Sequence, residues 1–405
     1  MSVLATLSPT QALARTALPH HLIRPAAALR ATFAARRCNY CSSASSRSTD
    51  AAASHADTRW KVATVPHRGV VEVSGRDTLK LLQGLVSNDV KALESTKSAS
   101  TAPTLVYAGF MNPQGRMLAD VFIHRQQPLE DGSPRWLLDL DSRTLPSLLS
   151  FIKKFKLRSK VKLVDVSSEY NVVQAWSSSS PPPAQLAERL SVDPRCPTIG
   201  LRGVLPAAEL DLGDTVTAVE SQEYTLHRIV NGVAEGALDF PEASSLPLEN
   251  NLDYMNGIDF RKGCYVGQEL TARTHHTGVV RKRIVPISLY LPNTPPPTSI
   301  FIDREFAHTL PAHLSEVRCK PIASIEAGKS ARGKAAGKFS GGLHNVGLAC
   351  LRLEQVSRWT DASAADAKSD GLEMSVTTAN GETLLARPWI PGWWPKEEPL
   401  PSDQE

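Results

Sequence analysis

Residues 261–273 read Arg-Lys-Gly-Cys-Tyr-Val-Gly-Gln-Glu-Leu-Thr-Ala-Arg. Arg261 and Lys262 precede Cys264, and neighbouring cations favour the thiolate form of a cysteine. Gly263 and Gly267 permit a tight backbone on either side of it. Gln268 and Glu269 are suited to open a helix, with the Glu269 carboxylate near its positive end. A cysteine serving as a small buried hydrophobe has no need of this company. The segment therefore predicts a turn, an accessible functional thiol at Cys264, and a helix starting at Gln268.

Upstream, Val70–Val73 alternates as a short strand does. Ser74-Gly75-Arg76-Asp77 has the form of a capping box, with Asp77 in the usual Glu position, opening a helix with Leu79, Leu82 and Val86 on one face. Residues 104–124 read strand, turn, strand around Asn112-Pro113-Gln114-Gly115. Trp136–Leu138 is a further strand. Leu145–Leu157 suits a helix whose Lys153, Lys154 and Lys156 form a basic, solvated face, and Val161–Val166 returns as a strand. Residues 177–187 read as loop and Glu220–Val230 as helix. After Gly278 short strands and Pro-rich turns take over, which indicates a separate all-β module. Residues 310–338 read as a basic insertion and Val346–Leu353 as a strand. Gly328–Ala335 falls short of a phosphate-binding loop, because Ala335 stands where a hydroxyl must reach magnesium.

A chain of 405 residues exceeds one ordinary core and implies two domains. Its six cysteines are too scattered for a disulfide framework. No uninterrupted apolar run reaches the roughly 18 residues of a membrane span. The first 49 residues contain six arginines, no lysine and no acid, the composition of a mitochondrial transit peptide. Residues 1–45 are assigned that role, with disorder expected to about 58, so the Cys38-x-x-Cys41 pair receives none. Loss of residues 1–41 leaves 40 basic against 41 acidic residues, a balance that gives no reason to expect a nucleic-acid partner.

Lys262, Gly263, Cys264, Tyr265, Gly267, Gln268 and Glu269 resemble the K-G-C-Y-x-G-Q-E signature of the folate-binding YgfZ family, relatives of the glycine-cleavage aminomethyltransferase. The resemblance extends over about residues 60–395. Leu82–Leu85 with Asn88-Asp89-Val90, Phe110–Arg116 with Asp120, Phe155–Arg158 with Lys160-Val161, Arg228-Ile229 with Gly232, and Gly347–Ala349 with Arg352 carry it further. It implies an α+β fold: an aminomethyltransferase-like folate-binding domain over 59–275, then a small C-terminal β-barrel over 276–395 with the insertion at 310–338. With the leader, the chain resembles the mitochondrial branch of that family. This implies an accessory factor of the mitochondrial matrix that matures 4Fe–4S cluster proteins, with A-type scaffold proteins and client apoproteins as partners.

The same resemblance implies a tetrahydrofolate site with Asn88, Asn112, Arg116, Asp120 and Arg228 as its lining. A carboxylate can bond a pterin, and an arginine can hold a folate carboxylate in a bidentate pair. The aminomethyltransferases carry adjacent aspartates where this chain has Ala119-Asp120, which counts against amine transfer. A cluster held by one protein usually needs four thiolates. Cys196, Cys264, Cys319 and Cys350 are widely spaced, so no stable metal site is expected, and Cys264 is left as a transient, shared cluster ligand or a thiol acting on a persulfide or disulfide. Two other readings stay open: a tetrahydrofolate-dependent aminomethyl or methyl transferase, and a non-catalytic interaction module on the folate fold.

Overall fold

The computed structural model describes residues 59–94, 104–178, 181–209, 213, 216–321, 333–361 and 372–395. The expected transit peptide lies outside them. The chain runs β1 (Trp60–Thr64), β2 (Arg68–Ser74), α1 (Thr78–Gln83), β3 (Leu105–Met111), β4 (Met117–Arg125), β5 (Arg135–Asp141), α2 (Leu145–Lys156), β6 (Lys162–Asp165) and β7 (Tyr170–Trp176). It continues through α3 (Ala184–Arg189), β8 (Ser191–Val192), β9 (Leu201–Pro206), β10 (Val216–Ala218), α4 (Ser221–Val230), α5 (Gly236–Asp239) and α6 (Gln268–Thr277). The last part holds β11 (Lys282–Tyr290), β12 (Glu316–Pro321), β13 (Lys334–Leu343), β14 (Val346–Arg352), α7 (Leu353–Asp361), β15 (Leu372–Thr377) and β16 (Thr383–Pro388).

Two five-stranded sheets form the first part, in the orders β10-β1-β7-β9-β8 and β3-β4-β5-β2-β6. Strand alternation decides which face each residue serves. Val70, Phe122 and Leu137 join Val172 and Val204 of the other sheet in the central core. Their neighbours Val71, Val121 and Leu138 point the other way, under Leu81 and Leu82 of α1 and Leu148 and Ile152 of α2. The last part is a closed six-stranded barrel, β11-β14-β13-β12-β15-β16. It docks through Ile284, Val346 and Leu348, which belong to the central core rather than the barrel's own. Arg283 seals the joint with a bidentate pair to Asp253, 2.9 Å at both contacts, and lies 3.6 Å from the Tyr254 ring centroid.

Several local expectations change. Asp77 does not cap α1 with its side chain; its carboxylate accepts the backbone N–H of Lys160 at 2.6 Å and so ties the α2–β6 loop to the start of α1. Val86 lies beyond α1, in a bridge to Phe110. Part of the 177–187 loop is the start of α3. Residues 310–338 are not all insertion, because β12 and the beginning of β13 lie inside them and complete the barrel. Arg318 and Lys320 alternate with buried Val317 and Cys319, a strand pattern that reads as charge when only composition is counted.

Candidate functional site

α6 starts at Gln268, and Gly267 is its N-cap in the left-handed region at φ 82°. A side chain there would meet the Asn112 carbonyl at 2.4 Å, so glycine is required by both backbone and packing. Gln268 folds back and its Oε1 accepts the Tyr265 N–H at 3.1 Å, while Glu269 is exposed in the first turn. Val266 donates to the Gly84 carbonyl at 3.0 Å, pinning the turn against the end of α1. Tyr265 packs against the central core, and burial pushes its phenol up to about 12.

The two cations do not converge on the thiol. The Lys262 ammonium donates to the carbonyls of Gln83, Val86 and Asn88 at 2.9, 2.5 and 2.8 Å. Burial lowers its pKa to about 8, which still leaves it mostly protonated at neutral pH, and the three carbonyls suit a cation. Lys262 thus anchors the turn to carbonyls that α1 leaves unpaired beyond its end. The Arg261 side chain is 96% exposed and, among the described residues, its ion-pair contact is Asp259, at 4.0 Å. Gly263 also departs from expectation. It has no positive φ, and nothing lies within 4 Å of where its side chain would start. The fold does not require glycine at 263, and its absent side chain leaves open surface beside Cys264. Cys264 is exposed, whereas Cys196 and Cys319 are buried and Cys350 is half-buried. Burial pushes the Cys350 thiol up to about 12. Among the described residues no group of three or more His, Cys, Asp or Glu could hold a metal ion.

The five residues expected to line a folate site do not border one cavity: Asn88 lines one and Arg116 another, while Asp120 and Arg228 are buried near Gly236–Asp239. Asn88 spends its amide on the carbonyls of Tyr107 and Asn256, both at 2.8 Å. Asn112 holds its own turn by accepting from the N–H groups of Gln114 and Arg116. Arg116 donates to the Ser244 carbonyl and borders a cavity of about 700 Å³ on the barrel side. Asp120 is buried, paired with Arg68 at 2.9 and 3.0 Å, and accepts the Gly236 N–H. Arg228 is buried and paired with Asp239 at 2.6 Å. Ala119 is on the outer face of β4 with the α1–α2 core, opposite Asp120. A carboxylate at 119 would not enter the space between the sheets, so the argument from its absence loses its geometric basis.

Asp120 belongs to a larger network that sequence reading missed. Arg68 also bonds Asp139 at 2.6 Å, and Arg202 bonds Asp139 at 2.8 Å and Glu235 at 3.3 Å. Arg195 bonds Glu235 at 2.6 Å and Asp193 at 2.7 Å, and Tyr224 donates to Glu235 at 2.6 Å. All three guanidinium side chains are fully buried, and those of Arg195 and Arg202 each lie 4.7 Å from the Phe122 ring centroid. Burial pushes the Glu235 carboxyl up, but Arg202 and Arg195 outweigh it and hold it well below the usual range. Asp120 goes the other way, since burial raises it and Arg68 only partly offsets the rise. The available signal was an arginine inside an apolar strand, as in Gly200-Leu-Arg-Gly-Val204.

The fit to tetrahydrofolate is therefore partial. Of the two arginines that would hold its carboxylates, Arg228 is spent in an ion pair with Asp239 and Arg116 donates to a backbone carbonyl. What remains is a cavity of about 680 Å³ bordered by Asn88, Tyr107, Asn256, Asp259 and Phe260. The Tyr107 hydroxyl is not on it: it is buried in the central core beside the ion network, without a hydrogen-bond partner.

A family model described as the CAF17 C-terminal β-barrel domain matches residues 281–396. A Mycosarcoma maydis chain described as the mitochondrial iron–sulfur cluster assembly factor IBA57 homolog is 69% identical over 384 residues, covering 93% of this chain and 94% of that one. The chain belongs to the IBA57 family of mitochondrial iron–sulfur cluster assembly factors. The Mus musculus IBA57 protein is 34% identical over 353 residues, covering 83% of this chain and 86% of its own. The solved structure of the glycine cleavage system aminomethyltransferase T from Bartonella henselae shares 12% identity with a TM-score of 0.55, covering 84% of this chain and 87% of that one. That last likeness is one of fold: an aminomethyltransferase-like body ending in a barrel, as the YgfZ-type resemblance implied. Within the IBA57 family frame, this chain is a mitochondrial cluster assembly factor.

Proposed function

We propose that this family member works in the mitochondrial matrix on the maturation of 4Fe–4S proteins, together with an A-type scaffold protein, and that Cys264 is the group it brings to that partner. The observation that carries the reading is the contrast among its cysteines: Cys264 is exposed beside the open surface at Gly263. With one exposed thiol among the described residues, the chain is equipped to share a cluster rather than to hold one. The Cys264 sulfur would donate an electron pair to an iron atom of the partner's cluster, its proton leaving to water. Replacement of Cys264 by Ser tests this in cells depleted of the native protein. Aconitase-type 4Fe–4S activity should fail to recover while 2Fe–2S enzymes and the level of the variant stay normal. Full recovery would remove Cys264 from the function. Matrix import predicts a mature first residue between about 36 and 58, read by mass spectrometry.

Tetrahydrofolate is the second reading, supported by the cavity of about 680 Å³ that Asn88 and Phe260 border. A ring-sized ligand suits that space, whereas capture of its carboxylates by Arg228 would first require release of Asp239. Calorimetric titration of the wild type and Asn88→Ala with tetrahydrofolate checks it. Absence of heat at millimolar ligand would leave the cavity without this role. Amine transfer is disfavoured because Asp120 is already ion-paired.

A further inference from the structure

The exposed surface formed by the end of α2 and the loop into β6 has features that neither folding nor solubility explains. From Leu145 to Leu163 the sequence contains no acid and six cations: Lys153, Lys154, Lys156, Arg158, Lys160 and Lys162. All but the half-buried Lys156 are exposed, and among the described residues none has an acidic side chain within ion-pair distance. Favourable interaction with the helix dipole accounts for cations in the last turn of α2, but not for three more beyond its end. A surface built for solubility intersperses both signs. The same surface also presents apolar groups. Leu157 leaves the helix at φ 44° and is 85% exposed; Phe155 is 38% exposed and rests against Phe151 at 4.8 Å. A leucine held in the left-handed region is a local cost of folding, and here it leaves an apolar side chain in water among cations.

The position of this surface gives it meaning. Asp77, just before α1, binds the Lys160 backbone. The other end of α1 receives Val266 at the Gly84 carbonyl and Lys262 at the Gln83 carbonyl. α1 has six residues, about 9 Å of helix. The cationic surface and the Cys264 turn are thus tied to opposite ends of one short helix. An ordinary protein interface, about 800 Å² on each side, is wide enough to cover both.

We infer that Lys153, Lys154, Arg158 and Lys160, with Leu157 and Phe155 at their centre, form the docking surface for an acidic protein partner that is thereby presented to Cys264. This rests on the reading of Cys264 as a partner-facing thiol. The occupant is a protein with a carboxylate-rich patch around an apolar residue. Charge complementarity gives it speed and orientation, and Leu157 supplies an apolar contact at the centre.

The test uses the full mature chain and an A-type scaffold protein as probe. The variants are Lys154→Glu/Arg158→Glu/Lys160→Glu, Leu157→Ser and, as control, Cys264→Ser. Wild type should bind with an affinity that falls as salt rises. The triple variant should bind about tenfold or more weakly and lose most of that salt dependence. Leu157→Ser should weaken binding a few-fold with the salt dependence kept. Cys264→Ser should dock in the absence of a cluster as wild type does, yet fail to restore 4Fe–4S activity. In depleted cells the triple variant, at normal abundance, should restore less than about a fifth of that activity. Normal binding and normal restoration by the triple variant would overturn the docking surface and leave the Cys264 reading standing. Normal restoration by Cys264→Ser as well would overturn both. Flotation with phosphatidylcholine vesicles containing about 30% anionic lipid supplies a further arm. Wild-type flotation abolished by charge reversal, with scaffold binding unchanged, would assign the surface to a membrane and overturn the protein-partner inference.

Discussion

The Cys264 turn and the ion network between the sheets are built from similar residues and reach opposite ends. In the network, Arg68, Arg195 and Arg202 are enclosed with Asp120, Asp139, Asp193 and Glu235, and nearly every polar group is spent on a neighbour. At the turn, Lys262, Gln268 and the Val266 N–H are also spent, but on backbone groups that fix the loop's shape. Cys264, Gly263 and Arg261 stay outside. Interior charge is compensated because burying an unmatched charge is costly. A functional group is recognised by the reverse pattern, a rigidly held backbone with an uncommitted side chain on it.

That contrast can be broken first at its functional pole. Cys264→Ser should abolish 4Fe–4S maturation while leaving unfolding free energy within about 0.5 kcal/mol of wild type, measured by enzyme activity and urea titration on the same preparation. A large loss of stability would make Cys264 structural.

At the other pole, Asp139→Asn leaves Arg68 and Arg202 without their shared carboxylate. It should cost about 3–5 kcal/mol of stability, seen as a lower urea midpoint, and should reduce maturation only as far as it reduces protein level. A normal midpoint would mean that the network does not hold the sheets together.

The two glycines of the turn sharpen the comparison further. Gly267→Ala forces a side chain into a left-handed position 2.4 Å from a carbonyl, and should cost about 1–3 kcal/mol. Gly263→Ala should change stability by less than about 0.5 kcal/mol. Equal stability effects would contradict the assignment of one glycine to folding and the other to surface access.

The smallest effect is in pH. Burial lowers the His227 pKa to about 4 from an ordinary 6.5 and also lowers that of His124. In the unfolded chain both imidazoles take a proton first as pH falls, so stability should decline from about pH 6.5 towards pH 4. Asp139 and Glu235 stay ionised across that window, because their folded pKa values lie below the unfolded ones; their contribution is lost only at lower pH. His227→Gln should flatten part of the melting-temperature decline between pH 7 and pH 5. An unchanged slope would place the proton uptake elsewhere.

Much of this architecture was legible locally. The alternation of Val70–Val73, the turn at Asn112–Gly115 and the helix start at Gln268 depend on residues close in sequence, and each formed where its pattern placed it. The barrel was legible from spacing, except where lysines at 320, 334 and 338 disguised strands as insertion. The folate candidates were not legible as a site. Asn88, Asp120 and Arg228 are chemically apt, but sequence does not say whether a polar group meets a ligand or a neighbour.

The sequence by itself determined the signature around Cys264, the order of most elements and the family, because those depend on residue identity and near-neighbour geometry. Tertiary structure decided that Lys262 grips the end of α1, that Gly263 faces open space, and that Asp120 and Arg228 are already paired. It also placed the cations of residues 153–162 one short helix away from the thiol. These depend on which distant residues meet across the sheets and at the ends of α1. A buried charge or an uncommitted thiol is defined by those meetings, since burial sets the cost of leaving a group without a partner.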